Sequence, residues 1–284
     1  MATGSASKIA RWRRCARKAY YWDVMKIKRK VQSVAPTRGT LGHKALEVHY
    51  KGGDWTKPIA EATLDLDNVF DEEREEFARM KQDLYKILRG YFRYYRERDK
   101  DIKVLAVEQQ FEIPIRALDG SLHKYTGTID LIYEDATGVW VRDHKFVKTI
   151  PQPEELYMDL QTLMYYVAAQ HLGYKPVGVE FNHIRTKVPT EPKLLKNGQL
   201  SKDKSIDCDV LTYFAAVKAH GLNPEDYRDM IEPLSRKVFY KRTRIPLSER
   251  TITMTLHEVL GTASDIDERL KKYERFMTEG WSVD

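Results

Sequence analysis

Between Val104 and Arg185 the apolar residues alternate between the two-residue repeat of strands and the wider repeat of a helix. Val104–Ile115, Tyr125–Tyr133 and Val139–Phe146 read as three successive strands. Pro151 and Pro153 then introduce a helix from about Glu154 to His171, closed by Gly173, and Val177–Arg185 reads as a further strand. Upstream, Phe70, Phe77, Met80, Leu84, Ile87, Leu88 and Tyr91 form the stripe of a long helix from about Asn68 to Arg98. Acids fill its first turns and bases its last, as the helix dipole favours. Residues 5–30 read as helical, and Pro36 marks a turn before Thr40, an N-cap for a helix reaching about Tyr50. Residues 186–205 form a polar loop, followed by helices near 207–220 and 252–278 and a strand near Val238–Arg242. The order α, β, β, β, α, β predicts an α/β fold, a mixed central sheet flanked by helices, with helical N- and C-terminal additions. The expected divisions are 1–60, a basic segment with a His-bearing helix; 61–186, the core; and 187–284, a C-terminal loop and helical region packing on it.

Composition narrows the class. The chain has 284 residues, 42% apolar and 32% charged, enough to bury a large core. No run of about 18 apolar residues exists, so no membrane span is expected. Only Cys15 and Cys208 are present, which excludes a disulfide framework or a four-cysteine zinc site and suits a reducing compartment. The net charge of +6 is modest but unevenly placed: ten Lys or Arg and one acid, Asp23, fall between Lys8 and Lys30. Trp12, Tyr20, Tyr21 and Trp22 are interleaved with them. Bases that neutralise phosphates and aromatics that stack on nucleobases suit nucleic acid, through Arg13, Arg14 and Arg17 among others. A helix with its aromatic stripe in the core and its charges in water accounts for the same residues equally well.

Parity along the strands locates candidate chemistry. Val139, Val141, Asp143 and Lys145 share one face, which turns from apolar to charged. Thr128, Asp130 and Ile132 share a face of the preceding strand, bringing Asp130 near Asp143. Two converging carboxylates repel unless a cation lies between them, and a divalent ion answers that need. An Asp–Lys surface pair of little energetic worth is the plainer alternative. Glu108 lies on the first strand, where its carboxylate could reach the same end. His43 and Glu47 fall one turn apart on a helix, and Gln161 and Tyr165 sit together off a stripe of Leu156, Leu160, Leu163 and Val167. Each admits a solvated reading when taken alone.

Taken in order, SASKIARWRRCARKAYYW, RGTLGHKALE, GTIDLIY, VRDHK and QTLMYYVAA resemble the PD-(D/E)XK nuclease superfamily over about residues 5–185. They are most similar to its RecB-like branch, with the CRISPR-associated RecB-like exonucleases and their phage relatives. The resemblance implies a restriction-endonuclease-like core. It implies that His43, Asp130 and Asp143 ligate the metal, with the His144 backbone carbonyl as a further ligand and the His144 side chain on the other face. Lys145 is then the catalytic lysine, Glu108 a looser acidic member, and Gln161 and Tyr165 the pair that shapes the site and contacts DNA. Hard oxygen ligands with one histidine favour Mg²⁺ or Mn²⁺ over zinc. Many relatives hold an iron–sulfur cluster through one N-terminal and three C-terminal cysteines. Cys15 stands at the first position and no trio follows, so no iron–sulfur cluster is expected.

The expectation is a Mg²⁺- or Mn²⁺-dependent DNA nuclease, an exonuclease of recombination, repair or phage DNA processing. DNA ends would be its substrate, recombination or replication proteins its partners, and the cytoplasm of a prokaryotic or phage-infected cell its place. A structure-specific endonuclease such as a junction resolvase, or a non-catalytic DNA-binding module, are the alternatives.

Overall fold

The alternating segments build a six-stranded mixed sheet in the computed structural model, which describes residues 3–27, 34–63, 71–116, 120, 122–157 and 159–279. Its strands are β1 (Thr3–Gly4), β2 (Lys103–Arg116), β3 (Leu122–Asp135), β4 (Gly138–Val147), β5 (Pro176–Arg185) and β6 (Tyr240–Pro246). β2, β3 and β4 pair antiparallel in succession, β4 and β5 are parallel, and β6 closes antiparallel on β5. β1 runs parallel to β3 at Lys124–Tyr125, so the two outermost contributions, β1 and β6, come from opposite ends of the chain.

The helices are α1 (Ala6–Arg14), α2 (Ala16–Asp23), α3 (Val34–Tyr50), α4 (Lys57–Glu61), α5 (Asp71–Tyr95), α6 (Pro153–Leu156), α7 (Leu160–His171), α8 (Val210–Ala219), α9 (Ile231–Ser235) and α10 (Glu249–Glu279), with a 3₁₀ helix over Pro224–Met230. A parallel strand pair needs a crossover, and α6 and α7 supply it between β4 and β5. α7 covers one face of the sheet, where Met164, Tyr165 and Ala168 pack with Val141, Val179, Phe181 and, from α10, Val259. α3 and α5 cover the other, where Leu46, Leu84, Leu88 and Tyr91 pack with Ile184 and Tyr240. Leu84, Ile87 and Leu88 are fully buried, each worth about 1.5–3 kcal/mol in transfer from water. A satellite core around Cys208, Tyr213, Tyr227 and Met230 ties α8, the 3₁₀ helix and α9 together.

Several elements differ from the sequence reading. The segment expected as one helix over 5–30 is two, broken at Cys15, whose extended backbone (φ −164°) turns both Trp12 and Ala19 toward Ile266 of α10. Thr40 is not an N-cap: α3 starts at Val34, because Pro36 falls in its first turn, where proline is tolerated. The helix expected over 154–171 is interrupted, and Asp159 caps its second part by accepting from the Thr162 N–H. That second part is buried on more than one side, since Met164, Tyr165, Ala168 and Ala169 join the core beside Leu163. The last strand lies at Tyr240–Pro246 rather than Val238–Arg242. Residues 28–30, and Asn68 and Phe70 at the expected start of the long helix, lie outside the described residues.

Candidate active site

β3 and β4 part company where the charges begin. Their ladder runs from Asp135↔Gly138 to Leu131↔Arg142 and stops there. The next pair would be Asp130 and Asp143. Instead, Asp130 turns its carboxylate toward β4, where Oδ2 accepts the His144 N–H at 2.7 Å. β4 continues past this fork on β5 alone, through Lys145↔His183 to Val147↔Arg185. The charged residues therefore stand inside a splayed strand pair rather than at a strand end in water: Asp143 is 2% exposed and Asp130 8%.

Both layers contribute to this fork. From α3, His43 places Nδ1 3.4 Å from Asp130 Oδ1. Gly42 permits it, because a Cβ there would stand 2.2 Å from the Phe146 ring. From β2, Glu108 arrives opposite Asp130, between the pairs Val107↔Leu131 and Gln109↔Ile129. Its backbone is left-handed (φ 51°), a conformation that costs a side-chain-bearing residue energy and re-aims the carboxylate. One ligand atom each from His43, Glu108 and Asp130 lie within 4.8 Å of one another. From α7, Gln161 accepts from Lys145 Nζ at 2.7 Å and donates to the Tyr165 hydroxyl at 2.6 Å. Lys145 Nζ also lies 2.9 Å from Asp143 Oδ2.

The charges of this cluster act on one another. Burial lifts the Asp143 carboxyl to about 7 against the pull of Lys145, and Asp130 adds to the rise. Burial and the Asp130 charge lift Glu108 to about 7. Burial would lower His43, but the Asp130 hydrogen bond and the Asp130, Asp143 and Glu108 charges outweigh it. Lys145 is likewise raised, burial being overcome by Asp143 and Asp159. Asp143 Oδ2 is buried against Lys145 Nζ, 2.9 Å away. Two carboxylates and one imidazole, with the buried Asp143 carboxylate beside Asp130, fit a hard divalent ion. Octahedral ligands at about 2.1 Å stand at most about 4.2 Å apart, so the triad needs only a small contraction.

The His144 side chain lies on the opposite face, as the alternation requires. Its Nδ1 is 2.6 Å from Asn182 Nδ2, and its ring stacks on Tyr50 with centroids 5.7 Å apart. Beneath it lies a buried ionic lattice. Arg142, 1% exposed, donates to Glu180, which also accepts from Arg244 Nε and Tyr133 at 2.9 Å each. Arg142 reaches the Tyr50 hydroxyl at 2.9 Å, and Arg242 pairs with Asp99 and donates to the Tyr91 hydroxyl at 2.7 Å. The lattice fixes the ring of the residue whose N–H holds Asp130.

The structure thus brings His43, Glu108, Asp130, Asp143, Lys145, Gln161 and Tyr165 together. Glu47 is apart from them in pairing, held by Lys44 and Lys51 at 2.7 Å each. Arg13 is engaged by Glu258 at 2.8 Å and Thr262 at 3.0 Å of α10, while Arg14 and Arg17 are exposed. Trp12 is core, whereas Tyr21 and Trp22 are exposed. Two neighbours escape the sequence reading. Asp159 adds its charge to Asp143 and Lys145, and His183 stands in register with Lys145, buried, with Nδ1 unpartnered. His183 falls within the strand read over Val177–Arg185, and only the parallel register reveals its neighbour.

A mixed sheet forked around acidic side chains, with helices on both faces, defines the restriction-endonuclease-like α/β class. The family model of the PD-(D/E)XK nuclease superfamily matches residues 3–246, and the chain belongs to that superfamily. Among solved structures, that of SSO0001 is 12% identical, covering 82% of this chain and 86% of its own, at a TM-score of 0.30. That of an exonuclease candidate from Eubacterium rectale is 12% identical, covering 87% and 86%, at a TM-score of 0.36. No curated protein matches the chain.

Proposed function

We propose that this nuclease is a Mg²⁺- or Mn²⁺-dependent deoxyribonuclease of the RecB-like branch that shortens DNA from its ends. The observation that carries the reading is the Lys145–Gln161–Tyr165 chain of hydrogen bonds reaching the forked Asp130–Asp143 pair. His43, Glu108, Asp130 and Asp143 are the residues that would hold the ion, together with the His144 carbonyl. A divalent cation held there supplies positive charge to the scissile phosphate and acidifies the attacking water.

The side chains define the rest of the chemistry. Lys145, its pKa raised, stays an ammonium at neutral pH and is no proton acceptor. Of its three N–H groups, one is directed to Gln161 and one faces Asp143, which leaves one for a water or a phosphate oxygen. Gln161 and Tyr165 hold that ammonium against α7, so its charge meets the phosphate without reorganisation. In the reaction a water oxygen bonds to phosphorus as the bond to the leaving sugar oxygen breaks. The proton lost by the water is balanced by the one the leaving alkoxide takes up. Recombination, repair or phage DNA processing is the setting for such an activity, with recombination or replication proteins as partners in the cytoplasm.

Matched linear and closed circular DNA, each labelled, test the reading with Mn²⁺, with Mg²⁺ and with EDTA. Metal-dependent loss of linear DNA alone is expected. Equal cutting of circles assigns an endonuclease, and metal-independent cutting removes the ion from the account.

A further inference from the structure

Lys86, Arg89 and Arg93 follow the helical three-and-four spacing, which lines them up on one exposed face of α5. They line a groove enclosing about 370 Å³ between α5, the segment at Val188–Pro189 and α8. The opposite wall is Ala215, Ala216 and Ala219, whose small side chains leave room for a chain to lie between the helices. One carboxylate, Glu191, faces these three permanent cations. Bases elsewhere on the surface, such as Lys44, Lys51, Lys187 and Lys202, are held by acids at 2.7–3.0 Å. Among the described residues, Lys86, Arg89 and Arg93 carry no ion pair.

The groove also lies at the catalytic end of the sheet. Tyr91 of α5 meets Asn182, and Gly90, one residue earlier, lies against Tyr240, the strand partner of Ile184. Moving back along α5 toward Lys86 therefore follows β5 past His183, the neighbour of Lys145. Val188, just beyond β5, lines the groove and packs in the same core as Phe146, which follows Lys145.

We propose that this groove binds the phosphate backbone of the DNA strand whose end occupies the active site. The proposal rests on the nuclease reading and extends it by naming the path of the substrate. Three aligned cations match successive phosphates, and the alanine wall lets the backbone approach.

The test is the affinity of a labelled single strand of about 30 nucleotides in EDTA, across a range of salt. It compares the wild type, the triple variant Lys86→Gln/Arg89→Gln/Arg93→Gln, and a control that removes three exposed charges at the other end of the sheet, Lys100→Gln/Lys103→Gln/Lys175→Gln. Each phosphate contact on a single strand contributes about 0.7 to the slope of log affinity against log salt, so the groove variant should lose about 2 from that slope. Its affinity should fall at least tenfold, with the control unchanged. An unchanged slope in the groove variant, or an equal loss in both triples, overturns the proposal while wild-type cleavage leaves the nuclease reading intact. A groove variant that keeps DNA affinity but loses binding to polyglutamate assigns the groove to an acidic protein and also overturns it. A wild type that neither binds nor cleaves DNA defeats the nuclease reading itself.

Discussion

Gly42→Ala sets two known effects against each other at one position. Alanine in a helix interior is worth about 1 kcal/mol over glycine, so α3 by itself should gain. The new Cβ, however, would stand 2.2 Å from Phe146 Cζ and 2.3 Å from Cε2, where ordinary contact begins near 3.4 Å. α3 and β4 must separate by about 1.2 Å, the difference between 3.4 and 2.2 Å, or the ring must leave its place against the α3–α5 core. Overpacking of this kind costs about 1–3 kcal/mol, so net stability should fall by roughly 0–2 kcal/mol. The functional effect is larger, because His43 is the next residue and already stands 3.4 Å from Asp130. A displacement of about 1 Å at a reacting centre can cost of order 10²-fold in rate. Cleavage of end-labelled DNA with Mn²⁺ should therefore fall by that order, with folding largely kept. Phe146→Leu in the same chain should restore most of the rate, and the helix-propensity gain should then appear as added stability over Phe146→Leu alone. Wild-type cleavage by Gly42→Ala, or a loss that Phe146→Leu does not relieve, refutes the reasoning.

Other consequences are as direct. The metal-free carboxyls of Glu108 and Asp143 sit near 7, above the ordinary value of about 4. Folded pKa values that are raised give stability present below about pH 4 and lost as pH rises through about 7. Mn²⁺ should therefore raise Tm more at about pH 8 than at about pH 5, and a larger rise at the lower pH contradicts the site. Glu180→Ala strands the buried Arg142 and should cost about 3–5 kcal/mol by denaturant unfolding; a cost below about 1 kcal/mol means the lattice is not structural. Glu180 itself is held low, since Arg142 and Arg242 overcome burial, so its contribution is present above about pH 4 and lost as pH falls through the folded value. Lys145→Ala should stop cleavage yet retain DNA affinity in EDTA within about threefold, and detectable turnover would remove the lysine from the mechanism.

Much of the site was legible because strand parity needs no tertiary knowledge. Asp143 and Lys145 fall on one face of β4 by counting twos, and Gln161 and Tyr165 meet by counting fours, as their hydrogen bond bears out. Leu256, Val259, Leu260, Ala263, Ile266, Leu270 and Tyr273 recur at helical spacing; of these, Leu256, Val259 and Leu260 join the core and Ile266, Leu270 and Tyr273 pack with α1 and α2. The buried lattice was not legible. Arg142, Glu180 and Arg244 are charges on three strands, and they become partners only through the registers Arg142↔Glu180 and Glu180↔Arg244. Register is a property of the assembled sheet, which also hid His183 beside Lys145. The left-handed backbone at Glu108 has no sequence signal either, since glycine or asparagine is the usual marker of that conformation.

The central claim is that the forked carboxylates make this chain a metal-dependent nuclease. Asp143→Ala tests it most directly, since it removes a buried acid from the fork while Lys145 keeps its hydrogen bond to Gln161. End-labelled linear DNA incubated with Mn²⁺ and purified protein should be degraded by the wild type and left intact by Asp143→Ala, with the variant's circular dichroism and Tm preserved. Degradation by Asp143→Ala at the wild-type rate contradicts the account.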